Sequence, residues 1–324
     1  MQTRSAEQAL VAASKTPSTA AEAHYWLFRI YDFKGNKAEG AFPGFHEEVS
    51  YRPRAEAALK AAGNPEPEWV AEAEAVENRL KAADAALAKL IADEHASASD
   101  LKSAIEARIA LRPDPLAYVS GANALLARRT ELPFVAKLAA DGKLAGDRFI
   151  RENESSYKLS GKISASIDRN AAAFADIAGW AAFLQGDSKT AETRLAEAAR
   201  LSRGNDATNQ LHLGQVSRMN NALAVARDHY VNVLTLTAAT PPQREAATTA
   251  LRDVLAKLGE NPMEFDKSLA GMLDRRRQER QVAASSTMIG KKLPALTLTD
   301  VNGNKVDLLA ERGNVVLLNF FAAW

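Results

Sequence analysis

Two stretches of the chain carry the same order of small and large residues, 35 positions apart. "AGWAAFLQGDSKTAETRLAEAARLSRGN" aligns with "LGQVSRMNNALAVARDHYVNVLTLTA". Gly179 matches Gly214, Gly186 matches Asn221, Ala191 matches Ala226, Leu195 matches Tyr230 and Ala198 matches Val233. A period of this length is one pair of helices repeated along the chain. Small residues let the two helices of a pair approach closely, and the large one fills the space beside them. Such units cannot bury their apolar faces alone, so the repetition predicts stacked helix pairs with one continuous core.

The order Gly179, Gly186, Ala191, Leu195, Ala198 resembles a tetratricopeptide repeat, over about two copies between residues 171 and 258. Ala182 and Arg203 stand where that family has an aromatic residue and a proline. The resemblance implies a face that binds a peptide or protein partner. "TPPQREAATTALRDVLAKLG" comes next as a further helix, with Thr240 as N-cap, Pro241 in the first turn and Gly259 past the end. It reads as the cap of the array.

Helical spacing also fills residues 1–170, and alanine dominates throughout. In Glu66–His95 the stripe Trp69, Ala73, Val76, Leu80, Ala83, Leu87, Leu90 recurs at helical steps, after a start marked by Pro65 and Pro67. "SASDLKSAIEARIALRPDP" predicts a helix capped by Ser99 and stopped by Pro113 and Pro115. "TAAEAHYWLFRIYDFKGN" predicts a helix with an aromatic cluster, Tyr25, Trp26, Phe28 and Tyr31, ending near Gly35. "KGNKAEGAFPGFHEEVSYRPR" then reads as a loop. Residues 259–288 read as a terminal helix and linker, with Arg275, Arg276, Arg277 and Arg280 as a solvated helix end.

From Ile289 the residues turn β-branched. "ALTLT" and "NKVDL" flank Asn302-Gly303, the strongest short hairpin signal, because both residues of a tight hairpin turn must accept positive φ. Asp307 is placed to cap a short helical turn that Gly313 ends. "VVLLNFF" (Val315–Phe321) is apolar on both faces, as in a central strand covered on each side. A hairpin and a single strand lack the helices that would cover them, so this tail is expected to pack poorly.

Gly290, Pro294, Asp300, Gly303, Leu308, Gly313, Asn319, Phe320, Ala322 and Trp324 fall in the order found at the start of thioredoxin-fold redoxins. The segment from Ile289 to Trp324 resembles above all the TlpA/ResA-like thiol–disulfide oxidoreductases, with Phe321 in place of the more usual tryptophan. In that family the residue after Trp324 is the nucleophilic cysteine of a Cys-x-x-Cys pair. The resemblance therefore implies an α/β domain cut just before its active site, and a redox partner protein for the complete form. Asn319, Phe320, Ala322 and Trp324 are the motif positions that flank the missing cysteines. A thiolate at a helix N-terminus attacks a disulfide, and the second thiol resolves the mixed intermediate. An AhpC/TSA-type peroxiredoxin is the alternative, and "NFFAAW" favours the disulfide reductase. The resemblance implies a periplasmic or cell-envelope protein, although no signal peptide is visible at "MQTRSAEQALVAASKTPSTAAEAHYW".

The 324 residues contain no cysteine, so the chain as written has no thiol nucleophile and is expected to be catalytically silent. Lys+Arg at 41 against Asp+Glu at 40 argues against a nucleic-acid partner. No apolar run reaches the roughly 20 residues that span a bilayer. His24, His46, His95, His212 and His229 are scattered, and His46–Glu48 reads as a solvated loop rather than a metal cluster. Trp180 reads as a core residue of a helix pair, and His212 and His229 as residues on partly buried helix faces. No catalytic, cofactor-binding or metal-ligating residue is expected, and no cofactor. The expected architecture is mainly α: an N-terminal helical region (1–170), tetratricopeptide-like pairs (171–258), a terminal helix and linker (259–288) and an incomplete thioredoxin-like domain (289–324).

Overall fold

The computed structural model describes residues 3–41, 51–152, 163–286, 290, 297–299, 303–307 and 310. They divide into two compact units, Met1–Lys267 and Ser268–Trp324. The molecule is mainly helical, with one two-stranded sheet among the described residues.

The first unit holds α1 (Thr3–Ala13), α2 (Ala20–Ala41), α3 (Tyr51–Ala62), α4 (Pro67–Ala92), α5 (Ala98–Leu111), α6 (Pro115–Ala127) and α7 (Leu132–Glu152). These are followed by α8 (Ile163–Leu184), α9 (Ser188–Ser202), α10 (Ala207–Met219), α11 (Leu223–Thr235) and α12 (Pro241–Lys257). Each of these helices packs on its neighbours in the chain from α4 onward, and α6, α8, α10 and α12 also touch one another in succession. Helices α6, α8, α10 and α12 therefore form one row.

The aromatic cluster of α2 builds a small core, in which Tyr25 packs with Ala62 and Ala73 against Trp26, Phe28 and Trp69. A larger core runs from Leu87 of α4 through Leu101, Ile105, Leu125 and Val135 to Phe174 and Ile177 of α8. Residue 170 lies inside α8, and Asn170 fastens α8 to α7 by donating to Lys143 O at 3.0 Å and to Asp147 Oδ1 at 2.9 Å. That joint needs a bare backbone at Gly146, where a Cβ would lie 2.0 Å from Asn170 Oδ1. Arg108 of α5 is a second tie. Its guanidinium is buried and bonds Asp84 of α4, Asp114 at 2.8 Å and Arg112 O at 2.8 Å. Burial opposes the Arg108 charge, and hydrogen bonds from its N–H groups to the two carboxylates outweigh it, raising its pKa.

The repeated residues make the same contacts in both copies. A Cβ on Gly179 would meet Leu195 Cγ at 2.8 Å, and one on Gly214 would meet the Tyr230 ring at 2.5 Å. Leu195 is 0% and Tyr230 2% exposed, and Ala191, Ala226, Ala198 and Val233 are buried around them. Gly186 and Asn221 both adopt positive φ, at 84° and 59°, in the turn between the helices of each pair. Glycine and asparagine are the residues that enter this region most readily, so the exchange between copies is tolerated. Arg203 also has positive φ, 55°, as the left-handed cap of α9.

Several boundaries differ from expectation. α2 does not end at Gly35 but continues to Ala41, into the stretch read as a loop, and α3 begins at Tyr51. A lone glycine weakens a helix by about 1 kcal/mol without ending it when good helix formers such as Lys37, Ala38 and Glu39 come after it. The cap of α5 is Ser97, whose side chain accepts from Asp100 N, rather than Ser99. Pro115 opens α6 behind an Asp114 cap instead of closing α5. Thr240 and Gln243 form the capping box of α12, and Gly259 lies beyond it at φ 84°. His46–Glu48 lies outside the described residues.

After a 3-10 turn at Pro262–Glu264, α13 (Phe265–Ser286) begins in the first unit and continues into the second. The arginine cluster lies within this helix rather than at its end. Arg276 pairs with Glu279 and Arg277 with Asp274, each one turn away. Further on, β1 (Thr297–Thr299) pairs antiparallel with β2 (Lys305–Asp307), with Leu298 opposite Val306. Gly303 has φ 84°. Asn302, the first residue of the expected turn, lies outside the described residues. Both strands are exposed. Asp307 ends β2; of the helical turn assigned to it only Ala310 is described, and the strand Val315–Phe321 lies outside the described residues, as do Asn319, Phe320, Ala322 and Trp324.

Candidate functional site: the polar joints of α8, α10, α11 and α12

A polar cluster joins α8 to α10. Asp176 on α8 accepts from His212 Nδ1 with both oxygens, at 3.1 and 3.0 Å, and from Asn209 Nδ2 at 2.9 Å. Asn209 also donates to Leu195 O at 3.1 Å, which ties the first pair to the second. It is 1% exposed, and its Oδ1 has no partner. An unfilled buried acceptor marks a place that suits a water or a donor group. The His212 ring stacks on Trp180 with centroids 4.1 Å apart and 7° between planes, and Phe183 stacks on Trp180 at 4.9 Å. Trp180 is partly buried and packs against the larger core, as expected of a core residue of the helix pair. A second cluster lies within the next pair, where Gln210 Oε1 accepts from His229 and from Asn232 Nδ2, at 2.9 and 3.0 Å.

Cross-links also join α10 to α12. Gln243 donates to Thr208 Oγ1 at 2.9 Å, and Arg218 donates to Asp253 at 2.9 Å. Hydrogen bonds from Arg218, then from Lys257, hold the Asp253 carboxyl below the ordinary range. The groups present are hydrogen-bonding and aromatic. Among the described residues there is no set of three His, Asp, Glu or Cys placed to hold a metal. No helix described is long and apolar enough to cross a membrane.

Asp206 caps α10 by accepting from Asn209 N at 3.0 Å. Burial pushes its carboxyl above the ordinary range; the backbone hydrogen bond opposes this and the nearby charge of Asp176 adds to it. With a raised folded pKa, the fold binds more protons than the unfolded chain as pH climbs from the ordinary aspartate range through the raised value. Stability from this group therefore falls across that window, and the cost is complete above it. Asn caps as well as Asp and cannot charge. Asp206→Asn is expected to raise the thermal midpoint near neutral pH, with the gain vanishing below the ordinary aspartate range. Melts across pH check this, and a loss of stability near neutrality would contradict it.

The sequence singled out Trp180 as a core residue and His212 as a residue on a partly buried helix face, and the structure stacks the two rings. Asp176, Asn209, Gln210 and Asn232 were not singled out. Each is a polar residue at a buried helical position, and its partner sits on another helix. No family model, curated protein or solved structure matches the chain.

Proposed function

We propose that the helical unit is a protein-binding scaffold of tetratricopeptide type, placed ahead of a thioredoxin-fold thiol–disulfide oxidoreductase domain of the TlpA/ResA-like kind that begins near Ile289. The scaffold would hold the substrate or redox partner of that domain, in the cell envelope. The ordered set Gly290, Pro294, Asp300, Gly303, Leu308, Gly313, Asn319, Phe320, Ala322, Trp324 carries the redox part of this reading. The pairing of Leu298 with Val306 supports it, since the resemblance requires a hairpin there. The offset contacts of Gly179 with Leu195 and Gly214 with Tyr230 support the scaffold part.

The chemistry would need a cysteine directly after Trp324. The transcript beyond that codon tests the reading: Cys-x-x-Cys there supports it, and any other continuation contradicts it. A single cysteine in a peroxiredoxin setting would favour peroxide reduction instead. A scaffold with no redox domain is the second reading, favoured by the helix-rich first unit with its row of α6, α8, α10 and α12.

A further inference from the structure

Asn209 is held on two sides and open on a third. Its Nδ2 donates to Asp176 on α8 and to Leu195 O on α9, so the orientation of the amide is set and Oδ1 is the atom left over. That oxygen is buried and has no donor among the described residues. Beside it stands Asp206, the N-cap of α10, with Asn209 as the third residue of the helix. The Asp206 carboxyl accepts from Asn209 N at 3.0 Å. A charged carboxylate only accepts and cannot serve Asn209 Oδ1, whereas a protonated one carries an O–H donor.

The start of α12 shows the bond such a donor makes. There Thr240 is the N-cap and Gln243 the third residue, and Thr240 Oγ1 donates to Gln243 Oε1 at 3.1 Å. From Thr240 to Asp206 the N-cap oxygen moves one bond further out, and from Gln243 to Asn209 the amide oxygen moves one bond closer in. The combined reach of the two side chains is unchanged.

We propose that Asp206 is a proton-operated latch on the joint between the pairs α8/α9 and α10/α11. With a proton from solvent it donates to Asn209 Oδ1 and fixes the amide that ties α10 to α8 and α9. Without the proton that amide is held on two sides only. Burial favours the proton on Asp206, the backbone N–H groups of Asn209 and Thr208 oppose it, the Asp176 charge on α8 favours it, and a charged His212 opposes it. Of the other charged or titratable groups around the joint, Arg200 of α9 and Arg203 of the turn before α10 are exposed. His229 of α11 is bonded to Gln210, and Arg244 of α12 to the carbonyls of Leu234, Leu236 and Ala239. A group with a raised folded pKa contributes its full stability below its unfolded value and loses it as pH rises through the folded value. The latch is therefore closed toward acid and opens across the window above the ordinary aspartate range, so one helix pair is set more stiffly on the other in acid than at neutrality.

The latch needs neither a bound partner nor the residues beyond Trp324, so its failure leaves the reading above untouched. An NMR pH titration of the isotope-labelled full chain tests it. The side-chain carbonyl carbons of Asp206 and Asn209 should titrate together, with one midpoint above the ordinary aspartate range. Exchange of the Asn209 Nδ2 hydrogens, corrected for its intrinsic pH dependence, should slow roughly three- to tenfold on protonation, the worth of one hydrogen bond. Asp206→Thr supplies a donor at every pH, as Thr240 does, so it should keep the slow exchange throughout and abolish the Asn209 titration. Asp206→Asn also caps and also carries donors, so it should do the same and serves if the threonine variant does not fold. Asn209 signals that stay fixed while Asp206 titrates would overturn the latch. So would an Asn209 titration that persists in either variant, or a bound water seen by magnetisation transfer to Asn209 at both ends of the titration.

Discussion

Arg108→Ala is expected to destabilise the first unit by about 3–5 kcal/mol, the usual cost of removing one partner from a buried ion pair. Arg108 reaches Asp84 on α4, Asp114 at the start of α6 and the Arg112 carbonyl at the end of α5. Its loss leaves Asp114 largely buried, with Arg112 Nε 3.9 Å away as the nearer remaining cation. It also leaves the Arg112 carbonyl without that donor. Arg108→Met keeps the packing of the stem and removes the charge, so it separates the two contributions. Urea unfolding checks both. If Arg108→Ala costs less than about 1 kcal/mol, the site behaves as an exposed pair and the account of this junction is wrong.

Tyr230→Ala is expected to cost about 3–5 kcal/mol, because it empties a site that is fully enclosed between α10 and α11. Gly214→Ala approaches the same contact from the other side. Its new Cβ would sit 2.5 Å from the Tyr230 ring, so the ring or the helix must move, at about 1–3 kcal/mol. The two changes share one contact and should not add. The double variant is expected to lie close to Tyr230→Ala alone, since the alanine at 214 fits once the ring is gone. Leu195→Ala and Gly179→Ala should repeat the pattern in the first pair. Additive effects in either pair would show that the glycine and the large residue are not one packing device.

The helices were largely legible because their apolar spacing is regular and their ends carry caps. Thr240, Pro241 and Gly259 bracket α12. Boundaries failed where several residues could serve. Ser97 and Ser99 are both capping residues two positions apart, and the choice depends on where the chain enters from α4. Gly35 looked like a stop, yet one glycine is a small cost set against continued helix formation. The polar joint of Asp176, Asn209 and His212 was not legible, since a buried polar residue is recognisable only with its partner from another helix. The hairpin was foreseen as a pairing of the two correct segments, which flank the Asn302-Gly303 signal.

The link between scaffold and redox chemistry is the central claim, and one activity measurement tests it most directly. The product of the full reading frame that contains this chain should reduce oxidised insulin with thiol as electron donor. Replacing the first cysteine after Trp324 with serine should abolish turnover while leaving the helical unit's circular dichroism unchanged. Turnover that survives this replacement, or a reading frame that encodes no cysteine after Trp324, would contradict the account.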